Sequence, residues 1–280
     1  MRPDLTDARR DLTFDVEAID EQGQRSTVAI AGEHPLTLYV DRRELVTLMT
    51  LGQAPEALAL GFLRNQRLAG SIDEIAAVHV DWEVNAVAVT TRAGDADYSA
   101  RTSRRTVTTG CGQGSVFGDL MDEIEAIRLP ADARLTRRGL YALLDAVRRR
   151  ETIYKQAGAV HGCALARVTD DGGPEASAQI LHYVEDVGRH NAVDAIAGSM
   201  WLEGIDGADK VFYTTGRLTS EMVIKCAQMG VPILVSRSGL TEMGYRIAQQ
   251  VGLTLIGRAT NTRHLLFTGA ERLTGSAPDR

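Results

Sequence analysis

The stretch that decides the fold covers residues 179–202 and reads QILHYVEDVGRHNAVDAIAGSMWL. Its first part, 179–184, has the apolar character of a buried strand, whereas the apolar spacing from Ala192 to Leu202 predicts a helix. The residues between them, Glu185–Asn191, form a turn that is rich in charge and contains a glycine and a histidine. The same change from strand to polar turn to helix recurs toward the C-terminus.

Strands and helices alternate along the C-terminal half. The predicted strands are 162–168, 210–214, 232–235 and 253–256, and the predicted helices between them are 219–230 and 241–251. Consecutive strand–helix–strand units of this length favour parallel pairing and a three-layer α/β domain. A helix from about Thr136 to Tyr154 precedes this alternation, and the residues after Gly269 are predicted to be a loose tail.

The N-terminal half has the pattern of a smaller α+β domain. Residues 1–12 are predicted to be a frayed terminus, and one helix is expected to begin at Pro55. Strand patterns occur at 13–20, 25–31, 35–40, 45–49, 72–82 and 86–91. The sequence therefore predicts two domains, an α+β domain at 13–132 that ends in a cysteine loop and an α/β domain at 133–269.

Composition limits the classes of function. The 280 residues carry a net charge of −6, with 44% hydrophobic and 24% charged residues. An acidic balance argues against bulk binding of nucleic acid or of an anionic membrane, although it allows a local basic pocket. No apolar run approaches the roughly 20 residues of a membrane span. Because Met1–Asp15 also lacks the apolar core of a secretory signal, we expect a cytoplasmic protein.

The three cysteines, Cys111, Cys163 and Cys226, suggest neither a disulfide framework nor a closed zinc site, since they are odd in number and widely spaced. Cys163 falls in an apolar strand pattern and Cys226 in an amphipathic helix, where buried, inert thiols are usual. Cys111 lies in the glycine-rich segment 108–115, TTGCGQGS, downstream of three arginines. Positive charge lowers the pKa of a thiol, so Cys111 is the candidate for a reactive sulfur carried as a persulfide.

Three predicted strand-to-helix junctions, 185–191, 214–221 and 236–241, share a glycine, an arginine and polar side chains. Ligands of open α/β sheets bind where strands end and helices begin, and the N–H groups of a first helical turn favour anions. The candidate contacts to a phosphate-bearing ligand are Arg189, His190, Asn191, Gly216, Arg217, Ser236 and Arg237. The alternative is that Asn191, Thr219 and Thr241 merely cap helices, which leaves the arginines unexplained.

His161 lies in AGAVHGCA, residues 157–164, a segment similar to the zinc-binding strand of nucleotide deaminases. The deaminase signature pairs H-x-E with a later P-C-x-x-C. Here the triplet is His161-Gly162-Cys163, and Pro232 is followed by isoleucine, leucine and valine. A histidine at a strand entrance is also more often structural than a ligand. We therefore expect neither zinc deamination nor a tightly held metal.

From about Glu33 to Thr268 the chain resembles the FdhD (NarQ) family, the formate dehydrogenase accessory sulfurtransferases. The motifs that carry the resemblance are EDVGRHNAVD at 185–194, TGRLTSEMV at 215–223, SRS at 236–238, GLTLIG at 252–257, EHPL at 33–36 and LGFL at 60–63. The resemblance implies a cytidine-deaminase-like fold, without the deaminase zinc, for the C-terminal domain. It also implies a homodimer.

The resemblance further implies a function as a sulfur carrier of the sulfurtransferase type. The protein would take sulfur from a cysteine desulfurase as a persulfide on Cys111. It would pass this sulfur to the molybdenum bis-guanine-dinucleotide cofactor, a bound substrate, before the cofactor enters the catalytic subunit of formate dehydrogenase. By the same resemblance, the segment after the last strand contacts the cofactor: Arg258, Ala259, Thr260, Asn261, Thr262 and Arg263.

The chain departs from the family pattern in the cysteine loop. Many relatives have a C-x-x-C pair there, whereas Gly114 occupies the second position here, so transfer would depend on Cys111 alone. Arg258 also stands where phenylalanine is usual, and Thr260 where arginine is usual. The main alternative is a non-catalytic chaperone that binds the molybdenum cofactor and docks it to formate dehydrogenase. A third reading is a nucleotide-modifying enzyme with a deaminase-like fold.

Overall fold

The computed structural model describes residues 2–94, 106–107, 114–115, 127–170, 172 and 175–275. The helices are α1 (Pro55–Asn65), α2 (Arg137–Arg150), α3 (Ile153–Ala157), α4 (Arg189–Glu203), α5 (Ser220–Gln228) and α6 (Glu242–Val251). The strands are β1 (Asp4–Leu5), β2 (Thr13–Ile19), β3 (Arg25–Ala31), β4 (His34–Val40), β5 (Arg43–Thr50), β6 (Ile75–Asp81), β7 (Ala86–Thr91), β8 (Thr106–Val107), β9 (Gly114–Ser115), β10 (Leu135–Thr136), β11 (His161–Thr169), β12 (Ser177–Asp186), β13 (Lys210–Thr214), β14 (Ile233–Ser236), β15 (Thr254–Thr260), β16 (Arg263–Leu266) and β17 (Leu273–Thr274). Among these described residues, no helix has the length and apolar character needed to span a membrane.

The prediction of a mixed α/β fold with several sheets is confirmed. The described residues divide into two compact units. The first comprises those up to Ser115 together with Glu151–Gly162 and Val184–Leu202, and the second comprises the remainder. The cytidine-deaminase-like layering and the domain limits 13–132 and 133–269 stay predictions.

The first unit contains a five-stranded sheet in the order β1-β6-β7-β4-β5. Strand β4 pairs with β5 in antiparallel and with β7 in parallel orientation, and β6 is antiparallel to β7. The period-two pattern buries Leu36, Leu38 and Val40 of β4 completely, as expected for a strand with one face in the core. Helix α1 packs against β6 and β7.

Helices α1 and α4 of the first unit cross with their backbones in contact. A Cβ atom on Gly61 would lie 1.6 Å from the carbonyl oxygen of Asp194, and one on Gly198 would lie 1.9 Å from the carbonyl oxygen of Ala57. Arg64 Nη1 donates to the carbonyl of Ala197 at 2.9 Å across the same crossing. Glycine is therefore required on both helices, which explains the glycine in the LGFL motif.

The expected frayed terminus is wrong for the described part of residues 1–12. Asp4–Leu5 forms β1, which pairs in parallel with β6. The backbone N–H of Ala8 donates to the carboxylate of Glu56 at 2.8 Å, in the first turn of α1. The order of this segment could not be predicted from its polar, charged sequence. Its contacts are made by backbone groups, and these leave no hydrophobic pattern in the sequence.

Strands β2 and β3 form a separate two-stranded antiparallel hairpin with an uncharged face. The register places Phe14 opposite Ile30 and Val16 opposite Val28, all on one face. These four side chains are between 37 and 45% exposed. The charged residues of the two strands, Asp15, Glu17 and Arg25, alternate onto the other face. The hairpin is amphipathic, and its apolar face is partly exposed, with Phe14 packed edge-on against His34.

The second unit contains most of a six-stranded sheet in the order β12-β11-β13-β14-β15-β16. The predicted parallel pairing is confirmed for β13, β14 and β15, whereas β11 and β16 flank them in antiparallel orientation. The predicted apolar face of α2 is buried in one core with side chains of these strands. That cluster consists of Leu135, Leu140, Leu143, Leu144, Val147, Ala164, Ala166, Val211, Tyr213, Ile233, Val235, Ile256, Ala259 and Leu273.

Two further sequence predictions in this region are wrong. The helix from Thr136 does not continue to Tyr154, since α2 ends at Arg150 and α3 begins at Ile153. The residues after Gly269 are not a loose tail as far as Gly275, because β17 pairs with β10 and Arg272 is 5% exposed. The guanidinium of Arg272 donates to the carbonyls of Pro130 and Gly252.

Candidate functional site

The turn at 185–191 directs its two acidic side chains inward within the first unit. The carboxylate of Glu185, 1% exposed, accepts the N–H groups of Thr152, Ile153 and Tyr154 at 2.9 to 3.2 Å. These N–H groups would bond to carbonyls four residues earlier in a continuous helix. Glu185 thus caps α3 and explains why the predicted helix is broken.

Asp186 is 3% exposed and accepts four hydrogen bonds. Its donors are Thr50 Oγ1 at 2.5 Å, Leu51 N at 3.1 Å, Gly188 N at 2.9 Å and Asn191 Nδ2 at 2.9 Å. Burial raises the pKa of the Asp186 carboxyl, and the four hydrogen bonds oppose that shift. The carboxylate therefore fixes the geometry of the turn.

Three predicted contacts, Arg189, His190 and Asn191, open α4 and are 6, 4 and 4% exposed. Asn191 Nδ2 donates to the carbonyl of Met49 at 2.7 Å as well as to Asp186. The side chain of Asn191 therefore has a structural role other than helix capping: it joins the start of α4 to β5. Contacts from these three residues to a cofactor stay predictions.

The ends of β13 and β14 in the second unit bring the predicted residues Gly216, Ser236 and Arg237 together. Ser236 Oγ donates to the carbonyl of Gly216 at 2.6 Å, and Arg237 N donates to the carbonyl of Thr214 at 3.2 Å. Leu218 N also donates to the carbonyl of Gly239 at 3.0 Å. Two of the three predicted junctions therefore form one continuous loop surface.

The helices that follow these two loops differ at their first turns. Thr241 caps α6 by accepting the N–H of Gly244, whereas Thr219 at the start of α5 makes no side-chain cap bond. The buried hydroxyl of Thr219 has no hydrogen-bond partner in the described part of the chain. Arg217, which precedes it by two residues, is exposed. The start of α5 therefore has no side-chain cap from Thr219 and lies near a guanidinium in sequence, an arrangement that suits a phosphate.

The segment 258–263 lies on β15, β16 and the turn between them. The pairing of β15 with β16 has a bulge between Gly257 and Thr260, and Arg258 adopts a left-handed φ of 49°. The bulge leaves the Arg258 side chain exposed while Ala259, 1% exposed, enters the core. Arg258 N donates to the carbonyl of Ser238 at 2.8 Å, so this predicted contact adjoins the loop surface. Ala259 could meet a ligand only through its backbone.

The rest of that segment is also accessible. Thr260 and Arg263 are exposed. Asn261 and Thr262 line a cleft of about 200 Å³ together with Tyr141, Leu144, Asp145 and Arg148 of α2. The segment is thus available for a ligand, and its role stays a prediction.

The candidate sulfur carrier Cys111 lies outside the described residues. The other two thiols are buried, as the sequence predicts. Burial, followed by the nearby Cys163, raises the pKa of the Cys226 thiol, and Cys163 Sγ donates to Thr214 Oγ1 at 3.3 Å. In the described ranges, no three or more His, Cys, Asp or Glu side chains come together in a group that could hold a metal ion.

Fold and site define a mixed α/β protein with an arginine-bearing strand-end surface suited to an anionic ligand. Residues 31–274 match the FdhD/NarQ family, and the chain belongs to that family.

Similar proteins extend over nearly the whole chain. It is 28% identical over 251 residues to the sulfur carrier protein FdhD of Listeria innocua, covering 88% of this chain and 92% of the relative. It is 30% identical over 247 residues to the protein of the same name from Halalkalibacterium halodurans, covering 87% and 88%. A crystal structure of a formate dehydrogenase accessory protein from Desulfotalea psychrophila aligns with a TM-score of 0.72 and 27% identity, covering 94% and 98%.

Several residues that organise the turn at 185–191, or the loops after β13 and β14, were not identified from the sequence. Thr50 and Gln53 lie far from the turn in sequence, yet they bond Asp186 and the N–H of Glu185. Thr214 opens the predicted junction 214–221, but the sequence did not place it among the candidate contacts. Polar residues directly after apolar strands could have identified Thr214, but not the more distant pair.

Proposed function

We propose that the protein carries sulfur on Cys111 to the molybdenum bis-guanine-dinucleotide cofactor, and that formate dehydrogenase requires this step for activity. The observation that carries the proposal is the family match over 31–274, a range that contains Cys111. The similar proteins from Listeria innocua and Bacillus subtilis are both named sulfur carrier protein FdhD. The structural neighbour named as a formate dehydrogenase accessory protein supports the same destination.

The first chemical step needs no external oxidant or reductant. The Cys111 thiolate attacks the outer sulfur of a persulfide on a cysteine desulfurase, and that sulfur–sulfur bond breaks as the new one forms. The desulfurase leaves as a thiolate, and Cys111 holds the outer sulfur as a persulfide. An arginine-bearing sequence upstream of the loop would favour the thiolate form.

Release of that sulfur as sulfide requires two electrons. Since Gly114 replaces the second cysteine of the loop, the chain cannot supply them by forming a disulfide with Cys111 inside the loop. We assign this role to two molecules of a small thiol. They leave as their disulfide, Cys111 returns to a thiol, and the cofactor receives the sulfide.

The loop surface of the second unit supports binding of the dinucleotide. Its phosphates match the exposed guanidinium of Arg217 and the uncapped start of α5. Glu221 in the first turn of α5 is an acid, but its carboxylate lies 3.3 Å from Lys225 Nζ, and the pair is internally compensated. Arg258, exposed by the bulge in β15, supplies a further cation beside the loop of Ser238.

Maturation of formate dehydrogenase in cells that lack the endogenous protein tests this function. Wild-type protein should restore formate dehydrogenase activity, and Cys111→Ala should not. Cys226→Ser is the matched control, because it alters a buried thiol that does not bond the loops after β13 and β14, and it should restore activity. Full restoration by Cys111→Ala would remove Cys111 from the mechanism.

A chaperone that binds and delivers the molybdenum cofactor without carrying sulfur is the second candidate. The absence of a second loop cysteine at Gly114 favours it. Cys111→Ala separates the two functions, because a chaperone would still mature formate dehydrogenase with this variant.

We also propose that the protein is a homodimer that pairs its β2–β3 hairpins. The face of Phe14, Val16, Val28 and Ile30 has no charge for an oppositely charged partner to recognise, and it is complementary to a second copy of itself. These side chains expose roughly 300 Å² per copy, whereas a standard interface buries about 800 Å² per partner, so the dimer should depend on concentration.

Sedimentation velocity over a concentration series tests the dimer. Val16→Lys should produce a monomer at concentrations where the wild type is dimeric. Thr27→Lys, on the charged face of the same hairpin, should leave the dimer intact. A dimer that survives Val16→Lys, or a monomeric wild type, would contradict this interface.

A further inference from the structure

The peptide groups on both sides of Gly216 are held between two buried hydroxyls. Gly216 N donates to Thr214 Oγ1 at 3.0 Å, and the Gly216 carbonyl accepts from Ser236 Oγ at 2.6 Å. Thr214 and Ser236 end neighbouring strands, are register partners, and are both 0% exposed. Neither hydroxyl can reach a ligand on the loop surface, so what they hold is the loop itself.

The same two residues hold the adjacent segments. Ser236 Oγ also accepts the N–H of Ser238 at 2.9 Å, and the Ser238 carbonyl accepts the N–H of Arg258 at 2.8 Å. The carbonyl of Thr214 accepts the N–H of Arg237 at 3.2 Å. The Ser236 hydroxyl therefore links the loop of Gly216 to the loop of Ser238, and Thr214 bonds the same two loops through its hydroxyl and its carbonyl.

We infer that Thr214 and Ser236 are positioning residues that preorganise the loops bearing Arg217 and Arg237 for a phosphate-bearing ligand. For its ligand the inference rests on the proposed function, which supplies a guanine dinucleotide. It assigns a role to Thr214, and it changes Ser236 from an expected cofactor contact into a residue that acts through Gly216.

Preorganisation matters here because Gly216, directly before Arg217, is the residue of the loop with the greatest backbone freedom, and the two hydroxyls bond both of its peptide groups. Gly216 contributes no side-chain contacts, and Arg217 projects into solvent. Without the hydroxyls, binding would have to order the backbone of this segment, and ordering a flexible segment weakens affinity. Loss of one such hydrogen bond should weaken binding about fivefold.

The first test needs no ligand. Thr214→Val keeps the shape of the side chain but removes the acceptor, whereas Thr214→Ser keeps the hydroxyl. Amide hydrogen exchange of Gly216 should be slow in the wild type and in Thr214→Ser, and fast in Thr214→Val. Equal protection of Gly216 in all three proteins would overturn the inference.

The second test measures affinity for guanosine diphosphate by calorimetry. Thr214→Val should bind this probe about fivefold more weakly, and Thr214→Ser should recover most of the loss. In an Arg217→Gln background, Thr214→Val should have little further effect, since the hydroxyl acts through that arginine. Additive losses would mean that Thr214 affects binding independently of Arg217, which would overturn the inference.

The two tests also separate this inference from the proposed function. If the wild type does not bind guanosine diphosphate, the ligand of the proposed function is wrong. The hydrogen-exchange result then still decides whether the hydroxyls fix the loop.

Discussion

Replacement of Gly61 by alanine should destabilise the protein, because α1 and α4 cross at that residue. The new Cβ would lie 1.6 Å from the carbonyl oxygen of Asp194, whereas ordinary contact begins at 3.4 Å. The two backbones would have to separate by about 1.8 Å. That shift would break the bond from Arg64 to Ala197 at 2.9 Å and the bond from Asn65 to the Asp194 carboxylate at 2.7 Å.

The magnitude follows from these losses. Two hydrogen bonds that involve charged groups contribute about 1.5–3 kcal/mol each, and the higher helix propensity of alanine returns about 1 kcal/mol. The free energy of unfolding should fall by about 3 kcal/mol and the melting temperature by about 10 °C. Denaturation followed by circular dichroism measures both.

Two control variants sharpen this prediction. A Cβ atom on Gly239 would meet no other atom within 4 Å, and this glycine has no positive φ, so Gly239→Ala should change stability by less than about 0.5 kcal/mol. Gly198→Ala alone should also lower the free energy of unfolding. In combination with Gly61→Ala it should lower the free energy by less, because the helices are then already separated. A Gly61→Ala protein as stable as Gly239→Ala would refute the close crossing.

Three other predictions concern charged groups. Glu185→Gln should lower the free energy of unfolding by about 2–3 kcal/mol in urea titration, because an amide cannot accept all the N–H groups that the carboxylate accepts at the start of α3; no change would contradict its capping role. Arg217→Gln should weaken binding of guanosine diphosphate about tenfold and flatten its dependence on salt in calorimetry, and an unchanged salt slope would place the phosphate elsewhere. Burial, and to a lesser extent the charge of Arg137, lowers the pKa of His264 in the folded protein. The neutral imidazole therefore contributes stability above the unfolded pKa of about 6.5, and this contribution is lost as the pH falls below that value. His264→Gln should therefore lose less stability than the wild type between about pH 7 and pH 5, with the remaining dependence due partly to His34, whose pKa is also lowered; identical slopes would contradict this.

The regular part of the fold could be predicted from hydrophobic period alone. Strands such as Lys210–Thr214 and Ala86–Thr91 have the predicted bounds because each is a short apolar run between polar turns. The error at Arg150 arose because α2 and α3 share one apolar spacing. What separates them is the Glu185 carboxylate, a contact between residues more than 30 positions apart. Local pattern contains no information about such contacts.

The candidate site could likewise be predicted only in part. The junctions at Arg217 and Arg237 were predictable, since glycine, arginine and hydroxyl residues follow apolar strands there. The role of Ser236, which bonds the loop and does not face the ligand, could not be predicted, because it depends on the burial of its hydroxyl. The exposure of Arg258 likewise depends on a bulge that sequence spacing does not indicate.

The central claim is that Cys111 carries the sulfur, and one measurement tests it most directly. The wild-type protein, Cys111→Ala and Cys163→Ser are each incubated with a cysteine desulfurase and cysteine. Intact mass and persulfide-specific labelling are then recorded before and after a reducing thiol is added. We predict one added sulfur atom on the wild type and on Cys163→Ser, removable by the thiol, and none on Cys111→Ala. Equal labelling of Cys111→Ala, or no labelling of the wild type, would contradict the account.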